Sequence, residues 1–328
     1  MKNINQSLLT LFKVIVKSII FIIIVSIDSN WTILAQDQGG NYTVINGAKL
    51  WYETNGKGEP LLLIPGGPGF SHLYFTPHFA KLSDKFKIIY FDAFGRGKSD
   101  RAKSPDEYSI ERDVEDIEGL RKYLGIDELN IFGHSYGGIV AQVYALKYPE
   151  HVKKLILSNT LFNSEMCQAM IINLNNEIQN QFPEIWEKLK LIRERDHKSS
   201  TIEYLMTSSP VSLQLGYFYD ASNAQRLAGD QYSFNPDVYF SLTGDDAGFV
   251  VGGDLGSLDF SIQLKEIKIP TLVIGGRFDR VCLPKYTLLY KKFMPQAKFV
   301  MFEESGHFPY IEEPLKFCET IETFLSNS

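Results

Sequence analysis

Residues 42–54, YTVINGAKLWYET, alternate apolar and polar positions on both sides of Asn46-Gly47. Alternation is the period of a half-exposed strand, and Asn-Gly suits a two-residue turn, so a β-hairpin is expected. The pattern then changes. Apolar runs without alternation recur at 61–64, 87–91, 129–132, 154–157, 271–274 and 298–302, bounded by Gly or Pro. Such runs suit strands covered on both faces, as in a parallel sheet. Helical spacing fills most of the intervals. Ile110, Val114, Ile117, Leu120 and Leu124 share one face, as do Ile139, Val143 and Leu146. Strands alternating with helices predict an α/β fold, a mostly parallel central sheet flanked by helices.

The interval 161–268 breaks this rhythm. It has no strand run, but Met166, Met170, Leu174 and Ile178 repeat at helical spacing, and so do Ile185, Leu189 and Ile192. These stripes read as core packing. The expected organisation is a sheet domain in two parts, 36–160 and 269–328, with a helical cap inserted at 161–268.

The first 35 residues differ in kind. Lys2, Lys13 and Lys17 precede the apolar run 19–27, and Ala35 stands before Gln36. This reads as a secretory signal peptide cleaved near Ala35, giving a secreted or periplasmic protein without stable membrane association. The alternative is an uncleaved N-terminal anchor. The composition of the whole chain is that of a globular protein, with 44% hydrophobic and 22% charged residues and a net charge of −6. An acidic balance without long basic runs argues against a nucleic-acid partner. Three cysteines, Cys167, Cys282 and Cys318, lack the paired spacing of a zinc or redox site.

The candidate chemistry centres on Gly133-His134-Ser135-Tyr136-Gly137, a G-x-S-x-G between an expected strand and an expected helix. A nucleophilic serine needs such a sharp turn, with small neighbours to tolerate the strained backbone. Its base and the acid that orients the base should follow later strands. Asp279 comes after the run 271–274, and His307 after 298–302. Ser135, His307 and Asp279 are therefore the candidate nucleophile, base and orienting acid. Of the other histidines, His134 adjoins the nucleophile but should point away from it. An oxyanion requires two backbone N–H donors. Tyr136, after the nucleophile, is one candidate. Gly67, in the loop Pro65-Gly66-Gly67-Pro68-Gly69, is the other. Asp92 and Arg96 read as braces of a loop. The charges in 111–118 read as a solvated helix face. Gly95-Arg96-Gly97-Lys98-Ser99 lacks the first glycine of a phosphate loop, and no zinc-protease motif occurs.

With these residues in view, the chain resembles the α/β-hydrolases, and among them the proline iminopeptidase family of serine exopeptidases. Gly66-Gly67-Pro68-Gly69 matches that family's G-G-P-G. The segment from Asp92 to Ser99 matches D-x-x-G-x-G-x-S, and Ser305-Gly306-His307 matches its histidine loop. The resemblance covers roughly 42–160 and 269–325. It implies an α/β-hydrolase fold with an inserted helical cap and a cofactor-free acyl-enzyme mechanism. The substrate it implies is a small peptide bearing N-terminal proline. Departures exist: Pro65 replaces a frequent His, and Phe94 a usual Arg. In the cap, Gly248 falls where the family carries a glutamate for the substrate ammonium, with Asp245 and Asp246 close by as substitutes. Glu203, Asp220, Asp230 and Asp237 are further acidic candidates in the cap. A carboxylesterase or other amide or ester hydrolase is the alternative function. A catalytically inactive binding module is the reading from another class, and it sits poorly with a complete Ser, His and Asp set.

Overall fold

The computed structural model describes residues 40–196, 198–227 and 233–327. The expected signal segment lies outside the described residues. Among the described residues, no helix is long and apolar enough to cross a membrane.

The hairpin forms as its sequence dictates. Strands β1 (Asn41–Ile45) and β2 (Ala48–Asn55) pair antiparallel around Asn46 and Gly47, whose φ values of 48° and 80° are those of a type I′ turn. The six apolar runs become β3 (Glu59–Ile64), β4 (Phe86–Asp92), β5 (Leu129–His134), β6 (Val152–Ser158), β7 (Thr271–Gly276) and β8 (Lys298–Phe302). The sheet order is β1-β2-β4-β3-β5-β6-β7-β8. Only the β1–β2 and β2–β4 pairs are antiparallel. Central β5 is buried at every residue, its polar Asn130 and His134 included.

One face of the sheet packs against helices α1 (Ile110–Tyr123) and α2 (Tyr136–Lys147). Ile131, Leu155 and Val273 from the sheet meet Val114, Ile117, Val140 and Tyr144 there. The segment 161–268 supplies α3 (Ser164–Gln181), α4 (Pro183–Asp196), α5 (Ile202–Ser212), α6 (Pro236–Thr243) and the short α7 (Gly253–Gly256). Its described residues add no strand to the sheet. Ile178, Leu189, Ile192, Tyr204 and Leu215 form a separate small core within it, while Met166 and Met170 pack into the main core beside the sheet, so the two cores share the apolar stripes. After β7 come α8 (Pro284–Phe293), the short α9 (Pro309–Glu312) and α10 (Pro314–Ser326). Phe317, Ile321 and Phe324 of α10 cover the sheet's other face with Leu61, Phe132 and Ile156. The Lys154 side chain on β6 is buried beneath α10, and its ammonium donates to the carbonyls of Leu325 (2.8 Å) and Asn327.

The acidic positions of α1 correct an expectation. Glu111 is exposed and Glu115 half-buried, but Asp113, Asp116 and Glu118 are buried, so the solvated face is only part of this surface. Each buried carboxylate survives because donors surround it. Arg96 grips Asp113, and Arg112 and Asn46 bond Asp116. Arg121 and Tyr144 bond Glu118. Burial pushes the Asp116 carboxyl up to about 6 despite Asn46 and Arg112. Burial acts the same way on Glu118, but hydrogen bonds from Arg121, Tyr144 and Lys122 overcome it and hold that group at about 2.

Candidate active site

β3 and β5 are neighbours, yet the chain leaves β3 for β4 on one side and β5 for β6 on the other. Open α/β sheets have their binding crevice at such a reversal, beyond the carboxyl ends of the strands. The 65–69 loop and Ser135 meet there. A Cβ built on Gly66 would stand 3.0 Å from that of Ser135.

Ser135 has φ 55° and ψ −122°, a conformation L-residues rarely adopt. Neighbouring bonds fix it: its N–H donates to Ser158 O (3.0 Å), and its carbonyl accepts from Thr160 Oγ1 (2.6 Å). The turn needs Gly137, where a Cβ would lie 2.0 Å from Ile64 O. Tyr136 begins α2, so its N–H has no intrahelical partner. Gly67 holds φ 124°, a value that favours glycine.

Asp279 follows β7 and His307 follows β8, and the structure joins them. His307 Nδ1 lies 2.9 Å from Asp279 Oδ2, with both side chains buried. Asp279 Oδ1 accepts the N–H groups of Val281 and Cys282, each at 2.8 Å. Oδ2 also accepts from Asn159 Nδ2 at 2.8 Å. Among the described residues no hydrogen bond joins Ser135 to His307. Such bonds are often loose without substrate and tighten in the complex.

Three supports escaped the sequence reading. Asn159, at φ 49° just past β6, orients Asp279 and also donates to Gly306 O. The Tyr217 carbonyl accepts the His307 N–H at 2.7 Å, while its ring meets the imidazole edge-on. His134 is the third. Its Nε2 lies 2.7 Å from His307 O, and a carbonyl can only accept, so Nε2 carries the proton. Nδ1 is then the acceptor for Tyr74 OH at 3.0 Å. The sole signal for this role was adjacency to Ser135.

Burial, helped by His307, holds the His134 imidazole well below its usual range. A depressed base takes up its proton on unfolding, so its stabilisation is present above the unfolded value, about 6.5, and fades as pH falls. Urea unfolding at pH 7.5 and 5.5 should therefore show a steeper acid loss in wild type than in His134→Gln. The difference should be about 1.4 kcal/mol per pH unit below 6.5. Equal slopes would remove His134 as the cause.

Asp279, Cys282 and His307 place potential metal-ligand atoms within 4.8 Å of one another. Asp279 and His307, however, are already engaged with each other, and Asp279 with two backbone N–H groups. Burial and the nearby Asp279 push the Cys282 thiol well above its usual range, and burial takes Cys167 to about 12. Both are protonated thiols without nucleophilic character at neutral pH.

The described acidic candidates of the 161–268 segment are either ion-paired or exposed. Asp246 forms a two-pronged ion pair with Arg193 (2.6 to 3.1 Å). Asp245, Asp220 and Asp237 are exposed, and Glu203 pairs with Arg195. Asp230 lies outside the described residues. Gly248 is enclosed: its N–H donates to Ser199 Oγ, and a Cβ there would meet Tyr204 OH at 2.5 Å. Among the described residues, none of these carboxylates hydrogen-bonds to Ser135, Asp279 or His307.

Comparison with known proteins agrees with this architecture. The family model described as alpha/beta hydrolase fold matches residues 59–314. The proline iminopeptidase of Heyndrickxia coagulans is 30% identical over 279 residues, 84% of this chain and 93% of that relative. Among solved structures, VinJ superposes with a TM-score of 0.74 at 22% identity, covering 88% of this chain and 98% of VinJ. The proline iminopeptidase of Mycobacterium smegmatis gives 0.70 at 21% identity, covering 88% and 97%. A family match spanning most of the sheet, together with a relative aligned over nearly its whole length, means that the chain belongs to the α/β-hydrolase family, as a hydrolase similar to the proline iminopeptidases.

Proposed function

We propose that the protein is a serine hydrolase that releases N-terminal proline from small peptides through an acyl-enzyme. The observation that carries the chemistry is the strained Ser135 beside the 65–69 loop, with the bonded Asp279–His307 pair on adjacent strand ends. Ser135 Oγ attacks the carbonyl carbon as its proton passes to His307 Nε2. Asp279 fixes the Nδ1–H tautomer and stabilises the imidazolium. The oxyanion accepts hydrogen bonds from the backbone N–H groups of Gly67 and Tyr136. Collapse expels the amine, which takes the proton from His307. Water then repeats the sequence on the ester and frees Ser135. No step calls on a cofactor.

The choice of proline rests on the similarity to proline iminopeptidases. Such a substrate carries a secondary ammonium, which needs a carboxylate when buried. Proline p-nitroanilide should be cleaved at least roughly tenfold faster than its N-acetyl form, because the lost charge leaves that carboxylate unpaired. A second reading has its own support. Asp246 is neutralised by Arg193, a Cβ on Gly248 would press on Tyr204 OH, and Asp245, the remaining carboxylate of this stretch, is exposed, so the stretch offers no buried carboxylate for the ammonium. Rapid turnover of p-nitrophenyl esters with no cleavage of the free proline anilide would establish the esterase reading in place of the peptidase.

A further inference from the structure

We propose that the buried Arg96–Asp113 ion pair is a brace that holds the two halves of the oxyanion site in register. The inference rests on the acyl-enzyme reading above and adds positioning residues to it.

The connection is continuous. Arg96 Nε donates to the carbonyl of Pro68 at 2.9 Å, the residue after Gly67. Arg96 Nη1 and Nη2 grip Asp113 Oδ1 and Oδ2 at 2.5 and 2.7 Å. Asp113 Oδ2 also accepts from Tyr136 OH at 2.6 Å. One end of the chain of bonds therefore holds the loop bearing the Gly67 N–H, and the other holds the residue bearing the second N–H. A further bond from Arg96 Nη1 to Phe94 O (2.9 Å) fixes the guanidinium to its own loop. All three side chains are buried, at 3% exposure for Arg96, 3% for Asp113 and 5% for Tyr136.

The far end of the 65–69 loop is tied by the Asn235 N–H to Gly69 O (2.9 Å) and by the Phe70–Phe234 bridge, and the stretch around Gly67 is left to the Arg96 bond at Pro68. Gly66, Gly67 and Gly69 have no side chains to pack, and Pro65 and Pro68 have no N–H to donate. A small cavity of about 20 Å³ adjoins the loop, where Arg96, Asp113 and Tyr136 meet apolar residues such as Ile64, Phe91 and Ile117. A buried ion pair is a poor device for stability alone, since apolar side chains of similar size often serve as well. It is a good device for geometry. A guanidinium is a rigid fork, and here it spans two loops. Oxyanion donors stabilise the transition state only when they stand about 2.7–3.1 Å from the developing charge.

The test uses two variants. Arg96→Lys keeps the charge but not the fork, so the separate Nε bond to Pro68 O and the two-pronged grip on Asp113 are no longer held by one rigid plane. Tyr136→Phe leaves the ion pair intact and cuts only the link to α2. Turnover is measured on whichever of p-nitrophenyl acetate and proline p-nitroanilide the wild type hydrolyses. A trifluoromethyl ketone, which forms a tetrahedral oxyanion adduct with a nucleophilic serine, probes the oxyanion site, and melting temperature reports folding. Both variants should lose roughly 10- to 100-fold in kcat with KM within about twofold, and bind the ketone weaker by a similar factor. If Arg96→Lys does not fold, Tyr136→Phe alone decides. Folded variants with kcat and ketone affinity within twofold of wild type overturn the brace. Ser135→Ala separates the two levels: an inert Ser135→Ala beside unaffected brace variants removes the brace only. An active one removes the acyl-enzyme reading and the brace with it.

Discussion

Ser135→Ala and His307→Ala are each expected to lower kcat by about 10⁴-fold or more, and the double variant to be little worse than either. The reason is that the residues act as one unit. Without His307, the Ser135 hydroxyl keeps its proton and is a poor nucleophile at neutral pH. Without Ser135, the imidazole has no proton to accept. Asp279→Asn should cost less, but still a large factor. Its Oδ2 accepts from both His307 and Asn159, and an amide nitrogen in that place would face two donors. Steady-state turnover on one chromogenic substrate measures all four proteins. Near wild-type rates in Asp279→Asn would send the orienting role to another carboxylate, and additive losses in the double variant would contradict the unit.

The largest effect on stability is expected at Asp113. Asp113→Ala strands the Arg96 guanidinium, which is 3% exposed, with no counter-charge. Breaking one side of a buried pair costs about 3–5 kcal/mol. For a chain of this size that is a fall in melting temperature of roughly 4–7 °C. The double variant Arg96→Met/Asp113→Leu removes both charges and should melt above Asp113→Ala, although one residue more has changed. A double variant that melts lower would mean that the polar links to Pro68 and Tyr136, not the uncompensated charge, carry the stability.

The sheet was legible in the sequence because burial on both faces leaves a signature no surface element has. The runs at 61–64 and 129–132 became β3 and β5 with shifts of only two residues at one end. The placing of Ser135, Asp279 and His307 at strand ends followed from those runs and needed no long-range information. The acidic face of α1 was misread for the opposite reason. Some partners are on the helix itself, Arg112 for Asp116 and Arg121 for Glu118, but others are remote in sequence: Arg96 lies 17 residues before Asp113, and Tyr144 lies 26 after Glu118. A helical pattern of charges looks the same whether water or an arginine faces it. Asn159 was invisible for a similar reason, since its partner Asp279 is 120 residues away. Asp245 and Asp246 were singled out by proximity to Gly248 in sequence, but the pairing of Asp246 depends on Arg193 from α4.

The bond between Lys154 and the last turn of α10 makes the end of the chain a fastener for the middle of the sheet. Its ammonium sits under Leu325 and Asn327, where carbonyl oxygens and the face of the Phe324 ring replace the water it has lost. A truncation stopping at Thr323 would therefore do more than shorten a helix. It would leave a cation in an oily layer beside β6, on the strand whose end carries Ser158 and Asn159. An affinity tag belongs after residue 328 rather than in place of the final turn.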